Sequence, residues 1–345
     1  MIRTTDQRQL RERERETAVG KGEIAMHIQP FDYSDASYEA IVRIDNAIEP
    51  ENPASATGWK HFDKHREKKY HYERHIARQH PEGPIVAFAA VGETFWAHQP
   101  GKYFVHVSVD PPLQNQGIGS ALYRFLRQQL TPREPRKLTA WTRENQPAAL
   151  HLLNKWGFKQ QMRIPVSRLD PRTFDASRFA ERIARTKAAG IEIRTLRELS
   201  ESDADWKRKV YELEWECLQD VPHQDEFTKQ PFEQFEKRTL GSPSLLPDAW
   251  IVAVDGDAYV GLSVLWKNLA TDELLETGLT GVLRSHRRLG IATAMKVRAI
   301  EYAQTHEVQG IVTDNEENNP MFQLNLQLGF KPEPAALDFA KELSA

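Results

Sequence analysis

The chain has 345 residues, 40% of them apolar and 28% charged, and a formal net charge of −3. That length exceeds one ordinary hydrophobic core and suits two domains of soluble globular composition. Dispersed lysine and arginine argue against a nucleic-acid surface, no apolar run approaches the roughly 20 residues that span a membrane, and a single cysteine, Cys217, excludes an internal disulfide and fits a reducing cytosol.

Residues 1–25 are polar and charge-alternating, lack the apolar core of a secretory signal, and are expected to lie outside the folded unit as a flexible segment. From Met26 the elements follow in order. "AMHIQPF" reads as a strand, and residues 35–48 and 57–72 read as helices. "ERHIARQ" and "PIVAFAAVGE" form a strand pair around the turn at His80 to Gly83. "KYFVHVSVD" alternates strictly, with Tyr103, Val105, Val107 and Val109 on one face. A Gly-bearing loop leads into a helix whose Ile118, Ala121, Leu122, Phe125 and Leu126 make one core-facing stripe. "KLTAWT" is a strand, 147–155 a helix and 158–169 a final strand, and residues 170–190 read as a linker carrying one helix.

The second half repeats this order: a strand at "IEIRTL", helices at 203–219 and near 229–240, a hairpin around "DGD", a strand at "ELLETGLTGV", a helix over 289–304, a strand at "GIVTDN" and a helix over 320–327. The repeat has a fixed offset. Gln114 pairs with Arg287 at 287 − 114 = 173 residues, and the same offset pairs Gly117 with Gly290, Gly119 with Ala292 and "ENQP" with "ENNP". "WGF" matches "LGF" at 329 − 157 = 172. Three landmarks in one order mark a tandem duplication, with domains at 26–169 and 191–345.

A strand entering a Gly-bearing turn and then a helix is an anion site, because the first helical N–H groups lack intrahelical acceptors and the helix dipole adds positive charge there. Arg287 and Arg288 add full charges suited to phosphate. The loop is not a P-loop, since no Gly-Lys-Ser/Thr follows, and it lacks the third glycine of a dinucleotide fingerprint.

"VDPPLQNQGIGSALYRFL" and "VLRSHRRLGIATAMKVRA" resemble the acetyl-CoA signature of the GNAT N-acetyltransferases, Gln/Arg-x-x-Gly-x-Gly/Ala. "ENNPMFQLNLQLGF" is similar to the family's segment after the fifth strand. The tandem layout resembles that of mycothiol synthase and related two-domain members. The resemblance implies an α/β fold of two acyl-CoA N-acyltransferase domains, each a mixed, mostly antiparallel sheet flanked by helices, with acetyl-CoA as cosubstrate and no metal. The cofactor contacts it implies fall on Val282, Arg287, Arg288, Leu289, Gly290, Ile291, Ala292, Thr293 and Asn318. In the first half they fall on Gln114, Asn115, Gln116, Gly117, Ile118, Gly119 and Ser120.

Many members of that family carry a glutamate six residues before the valine that opens the signature. Carried onto Val282, that position is Glu276, a candidate general base. The same offset places Tyr103 in the first half, on a face that looks like core. The family's usual acid, a tyrosine four residues before the Gly of Gly-Phe, is replaced by Asn325 and Leu153. Asn325 offers only a hydrogen bond to the sulfur. Catalysis is therefore expected in the C-terminal half.

Three further features are weighed. His61/His65 and His71/His75 have a metal-ligand spacing on a helix, but no third ligand accompanies either pair. Trp250 and Trp266 are expected in the core. Asp220, with Glu216 or Asp225, offers charge for a cationic amine. The expected activity is cytosolic acetylation of a small-molecule amine, with no nucleic acid or membrane partner and with an oligomer compatible with the sequence. The alternatives are a non-catalytic acyl-CoA-binding protein and a protein N-terminal or lysine acetyltransferase.

Overall fold

The computed structural model describes residues 26–343, so the expected flexible segment 1–25 lies outside the described residues. The first half runs β1 (His27–Pro30), α1 (Asp35–Ile48), α2 (Ala56–Lys64), β2 (Tyr72–Arg78), β3 (Ile85–Gly92), β4 (Lys102–Val109), α3 (Ile118–Leu130), β5 (Lys137–Arg143), α4 (Pro147–Lys155) and β6 (Lys159–Leu169). After a linker helix α5 (Ala180–Ala188) come β7 (Glu192–Thr195), α6 (Leu196–Ser202), α7 (Trp206–Leu218) and α8 (Phe232–Phe235). The chain ends with β8 (Leu245–Asp255), β9 (Ala258–Lys267), β10 (Leu274–Val282), α9 (Ile291–Thr305), β11 (Gly310–Asp314), α10 (Pro320–Leu328) and β12 (Lys331–Glu342).

Local chemistry sets the helix starts. The Ser34 and Ser55 hydroxyls cap α1 and α2 by accepting from the N–H groups of Ser37 and Gly58. Helix α2 stops at Lys64, short of the expected 72, because the charged run that follows carries no apolar stripe. Helix α6 was not expected. It is nucleated by a capping box between Thr195 and Glu198, a Thr-x-x-Glu signal that a seven-residue helix gives little periodicity to support. The helix near 229–240 is a short α8 continued by a π-helical turn at Glu236–Leu240.

The strands of the described residues form one twelve-stranded sheet in the order β1-β2-β3-β4-β5-β12-β6-β11-β10-β9-β8-β7. The two halves exchange their last strands. β12 pairs antiparallel with β5 of the first half, Ala336 opposite Arg143 through Glu342 opposite Lys137. β6 pairs antiparallel with β11 of the second half, Ile311 opposite Leu169 through Asp314 opposite Val166. A cut between residues 169 and 191 therefore separates the repeats in sequence but leaves each sheet finished by the other half's strand.

Among the described residues only β4–β5 and β10–β11 are parallel, and each pairs over three residues before the strands part. Those two partings are the openings of the sheet. Helices cover both faces. In the second half, one apolar layer joins α9 and the linker region to the sheet, and a second, centred on Val210, Phe235 and Trp250, lies on the other face. The first half has the same division, with Leu122 and Leu126 of α3 on one side and Ile41 and Ile44 of α1 on the other.

Candidate functional site

The two Gly-bearing loops have one backbone shape. Asn115 and Gly117 have φ of 61° and 89°, and Arg288 and Gly290 have 69° and 84°, so each loop makes two left-handed turns before its helix. Gln114 Nε2 donates to the Val109 carbonyl at 3.1 Å. Arg287 Nε donates to the Val282 carbonyl at 3.0 Å. The equivalent side chains thus brace their own loops. The Arg287 guanidinium also pairs with Asp220, which takes Arg284 Nε at 2.9 Å. Its charge is engaged within the protein. Arg288 is exposed and has no hydrogen-bonded partner among the described residues.

The second loop opens on a cavity of about 620 Å³. Its walls are Arg288 and Gly290 to Thr293, the strand end Thr280 to Val282, and Asn319 to Met321 at the start of α10. The N–H groups of Ile291 to Thr293 have no intrahelical acceptor and sit at its floor. Arg182 and Arg185 of the linker helix complete the wall. Sequence reasoning missed them, since a basic residue on a linker carries no local mark of what it faces. Thr186 Oγ1 fastens that helix to the loop by donating to the Leu289 carbonyl at 2.9 Å, and a Cβ on Gly290 would run into the Arg182 carbonyl. At the first loop a Cβ on Gly119 would lie 3.2 Å from Leu152 Cδ1, with Val107 and Val109 close by. The first loop's helix is thus packed where the second opens.

Glu276 sits on β10 at the last parallel pair with β11, opposite Val312. Just beyond it β10 bulges: Thr277 pairs with Leu265 but Thr280 pairs with Ser263. Gly278 lies on the bulge, where a Cβ would be 2.5 Å from Trp266 Nε1, and the buried Thr277 hydroxyl has no partner. Glu276 Oε1 accepts from Asn268 Nδ2 at 2.9 Å, and the same amide donates to the Pro53 carbonyl of the first half at 2.9 Å. Burial pushes the Glu276 carboxyl above its ordinary range, the Asn268 bond opposes this, and the charge of Asp314 adds to the rise. A second cavity of about 570 Å³ holds Glu276. Both halves line it: Pro53 to Ser55, Trp59, Phe62 and Trp96 from the first, Glu214, Trp266 and Asn268 from the second. Burial pushes Glu214 up to about 7.

Several expectations change. The bulge adds one residue to β10, so the fixed offset fails ahead of it. Leu274 to Glu276 pair with β11 as Lys102 to Phe104 pair with β5. The counterpart of Glu276 is therefore Phe104, and Tyr103, buried in the core as expected, matches Leu275. β4 pairs with β3 without a bulge. Asn325 is wholly buried and its amide donates to Asn315 Oδ1 at 2.6 Å, which ties α10 to the end of β11. Asn318 donates to Glu316 Oε1 at 2.8 Å, and it is the next residue, Asn319, that lines the cavity. Asp220 and Asp225 are held by Arg287 and Lys102. His71 and His75 lie at β2, where i, i+4 residues are far apart, and His61 Nε2 and His65 Nδ1 are bonded to the carbonyls of Arg238 and His61. Trp250 is core as expected, whereas Trp266 walls the Glu276 cavity. Burial pushes the Cys217 thiol up to about 12.

The acetyltransferase (GNAT) family model matches the chain over residues 38–158 and 207–330, each match ending just before an exchanged strand. No curated protein matches it. Among solved structures it is similar to a tandem GNAT protein from the clavulanic acid biosynthesis pathway, with a TM-score of 0.70 and 19% identity over 93% of this chain and 99% of that one. A GCN5-related N-acetyltransferase from Sphaerobacter thermophilus gives 0.63 and 20% identity over 92% and 95%. The GCN5-related glucosamine N-acetyltransferase region of a fungal multi-domain β-N-acetylglucosaminidase gives 0.66 and 13% over 94% of this chain and 39% of that one. At these identities the likeness is one of fold.

Proposed function

The chain belongs to the acetyltransferase (GNAT) family, which it carries twice, and from that premise we propose that it is a cytosolic enzyme acetylating the amine of a small molecule from acetyl-CoA, with the chemistry in the C-terminal half. The observation that carries this is the pair of cavities at the two ends of β10, one at the loop of Arg288 to Thr293 and one at Glu276, with the bulge between them. Bound acetyl-CoA would supply the acetyl group as an activated thioester.

This chain's residues have separate tasks in that reading. The amides from Arg288 to Ala292 take the pyrophosphate, with Arg182, Arg185 and Arg288 adding charge in the same cavity. The bulge frees backbone N–H groups from the β9 ladder, which suits an oxygen gaining negative charge. Asn268 holds Glu276 Oε1, leaving Oε2 to receive the proton of the attacking amine. A thiol of reference pKa near 8.5 leaves without a strong acid, in keeping with the absence of the family's tyrosine. The first half supplies part of the acceptor's wall, and a space of about 570 Å³ is on the scale of a small molecule. The similar tandem protein belongs to a small-molecule pathway, which supports the same choice.

Calorimetric titration with acetyl-CoA tests the cofactor, and a panel of small amines assayed for CoA release tests the reaction. Absence of acetyl-CoA binding, or turnover unchanged in Glu276→Gln, would overturn the reading.

A further inference from the structure

The linker helix α5 lies outside both stretches that match the family, yet it walls the cavity at the second loop. Its sequence, "AERIARTKA", sets Arg182 and Arg185 at i, i+3, hence on one face. Two contacts hold this helix to the loop. Thr186 Oγ1 donates to the Leu289 carbonyl at 2.9 Å, and a Cβ on Gly290 would run into the Arg182 carbonyl. Helix and loop thus meet backbone to backbone, and both arginines line the cavity of about 620 Å³.

The cations of that cavity divide into two groups. Arg287 is engaged by Asp220 and the Val282 carbonyl, and His286 Nε2 lies 3.1 Å from Asp255. Arg288, Arg182 and Arg185 are not neutralised in this way. Arg288 has no hydrogen-bonded partner among the described residues. Arg182 Nη2 donates to Gln327 Oε1 at 2.9 Å, which leaves its charge uncompensated. Arg185 reaches Glu181, also on the cavity wall, at 3.4 Å, but the two side chains are 55% and 90% exposed and water screens such a pair.

CoA is anionic in two separate places: its diphosphate, and a 3′-phosphate monoester carrying about −1.5 to −2 charge at neutral pH. The amides at the start of α9 and Arg288 serve the diphosphate. They leave no separate partner for the monoester. The thioester arm has to follow Thr280 to Val282 back along β10 to reach Glu276, so the nucleotide end has the remaining wall, made by α5 and the start of α10. Two guanidinium groups on one helix face, each with N–H groups to spare, suit the oxygens of a phosphate monoester.

We propose that Arg182 and Arg185 form a phosphomonoester subsite that makes the protein selective for CoA over 3′-dephospho-CoA. The subsite rests on the cofactor reading given under the proposed function. The experiment is calorimetric titration of the full chain with CoA and with 3′-dephospho-CoA. It compares the parent, the Arg182→Gln/Arg185→Gln double variant and Arg288→Gln, each checked for native circular dichroism. The parent is expected to bind CoA roughly tenfold or more tightly than dephospho-CoA. The double variant is expected to lose that preference, its affinity for CoA falling to that for dephospho-CoA, while dephospho-CoA itself changes by less than about threefold. Arg288→Gln is expected to weaken both ligands by the same factor and to keep the preference. Equal binding of the two ligands by the parent would overturn the subsite alone. So would a double variant that weakens both ligands alike or keeps the parent's preference. Failure of the parent to bind either ligand would instead overturn the cofactor reading, and the subsite with it.

Discussion

Replacing Lys296 by methionine should stabilise the protein. Lys296 sits on α9 at 5% exposure, its ammonium 5.8 Å from the centre of the Phe330 ring, with no hydrogen bond or ion pair among the described residues. Burial alone pulls its pKa from 10.5 to about 8. At about 1.4 kcal/mol for each tenfold, that drop corresponds to about 3 kcal/mol of penalty for carrying the charged form into the fold. The aromatic contact returns at most about 1 kcal/mol of it. The folded pKa lies below the unfolded one, so between about 8 and 10.5 the unfolded chain holds more protons and stability rises with pH. Below about 8 the penalty is present in full. Urea unfolding at pH 7 should therefore place Lys296→Met about 2–3 kcal/mol above the parent protein, with the gap closing as the pH approaches 10.5. A variant no more stable at pH 7, or a gap that does not change with pH, would refute the reasoning.

Glu276→Gln should lower kcat/KM by roughly 10²-fold or more and abolish the ascending limb of the pH profile, which in the parent should lie above the ordinary carboxylate range because burial raises this group. Gly290→Asp should abolish acetyl-CoA binding by calorimetry, since its Cβ would strike the Arg182 carbonyl and its charge would oppose the phosphates. Gly117→Asp, whose Cβ meets nothing within 4 Å, should cost only about 1–2 kcal/mol of backbone strain and leave that binding intact. Iodoacetamide at pH 8 should label Cys217 roughly 10³-fold more slowly than a free thiol until denaturant is added, because burial holds it near 12. Fragments 1–190 and 191–345, each missing a central strand, should aggregate when expressed singly and copurify when coexpressed.

Much of the fold was legible in the sequence because its signals are local. The Gly-bearing turn, the α3 stripe, the hairpin at "DGD" and the proline-started α4 are each specified within a few residues. The duplication made them mutually supporting. Glu276 was legible through resemblance and spacing. Its counterpart was misplaced by one residue because the bulge after Thr277 breaks the offset, and a bulge leaves no trace in a period-two pattern. Helix α6 escaped because a capping box on seven residues has too little periodicity beside it.

By itself the sequence determined two copies of one α/β fold, a Gly-bearing loop before a helix in each, and a carboxylate on the fourth strand of only one. The tertiary structure alone decided which strands finish which sheet, that Arg287 answers Asp220 and the Val282 carbonyl, and that Asn325 binds Asn315. It alone placed Arg182 and Arg185 beside the second loop and brought both halves to the Glu276 cavity. These are pairings between residues tens to hundreds of positions apart. Local propensity says which surfaces must be buried, while the three-dimensional closure of the chain decides what each is buried against.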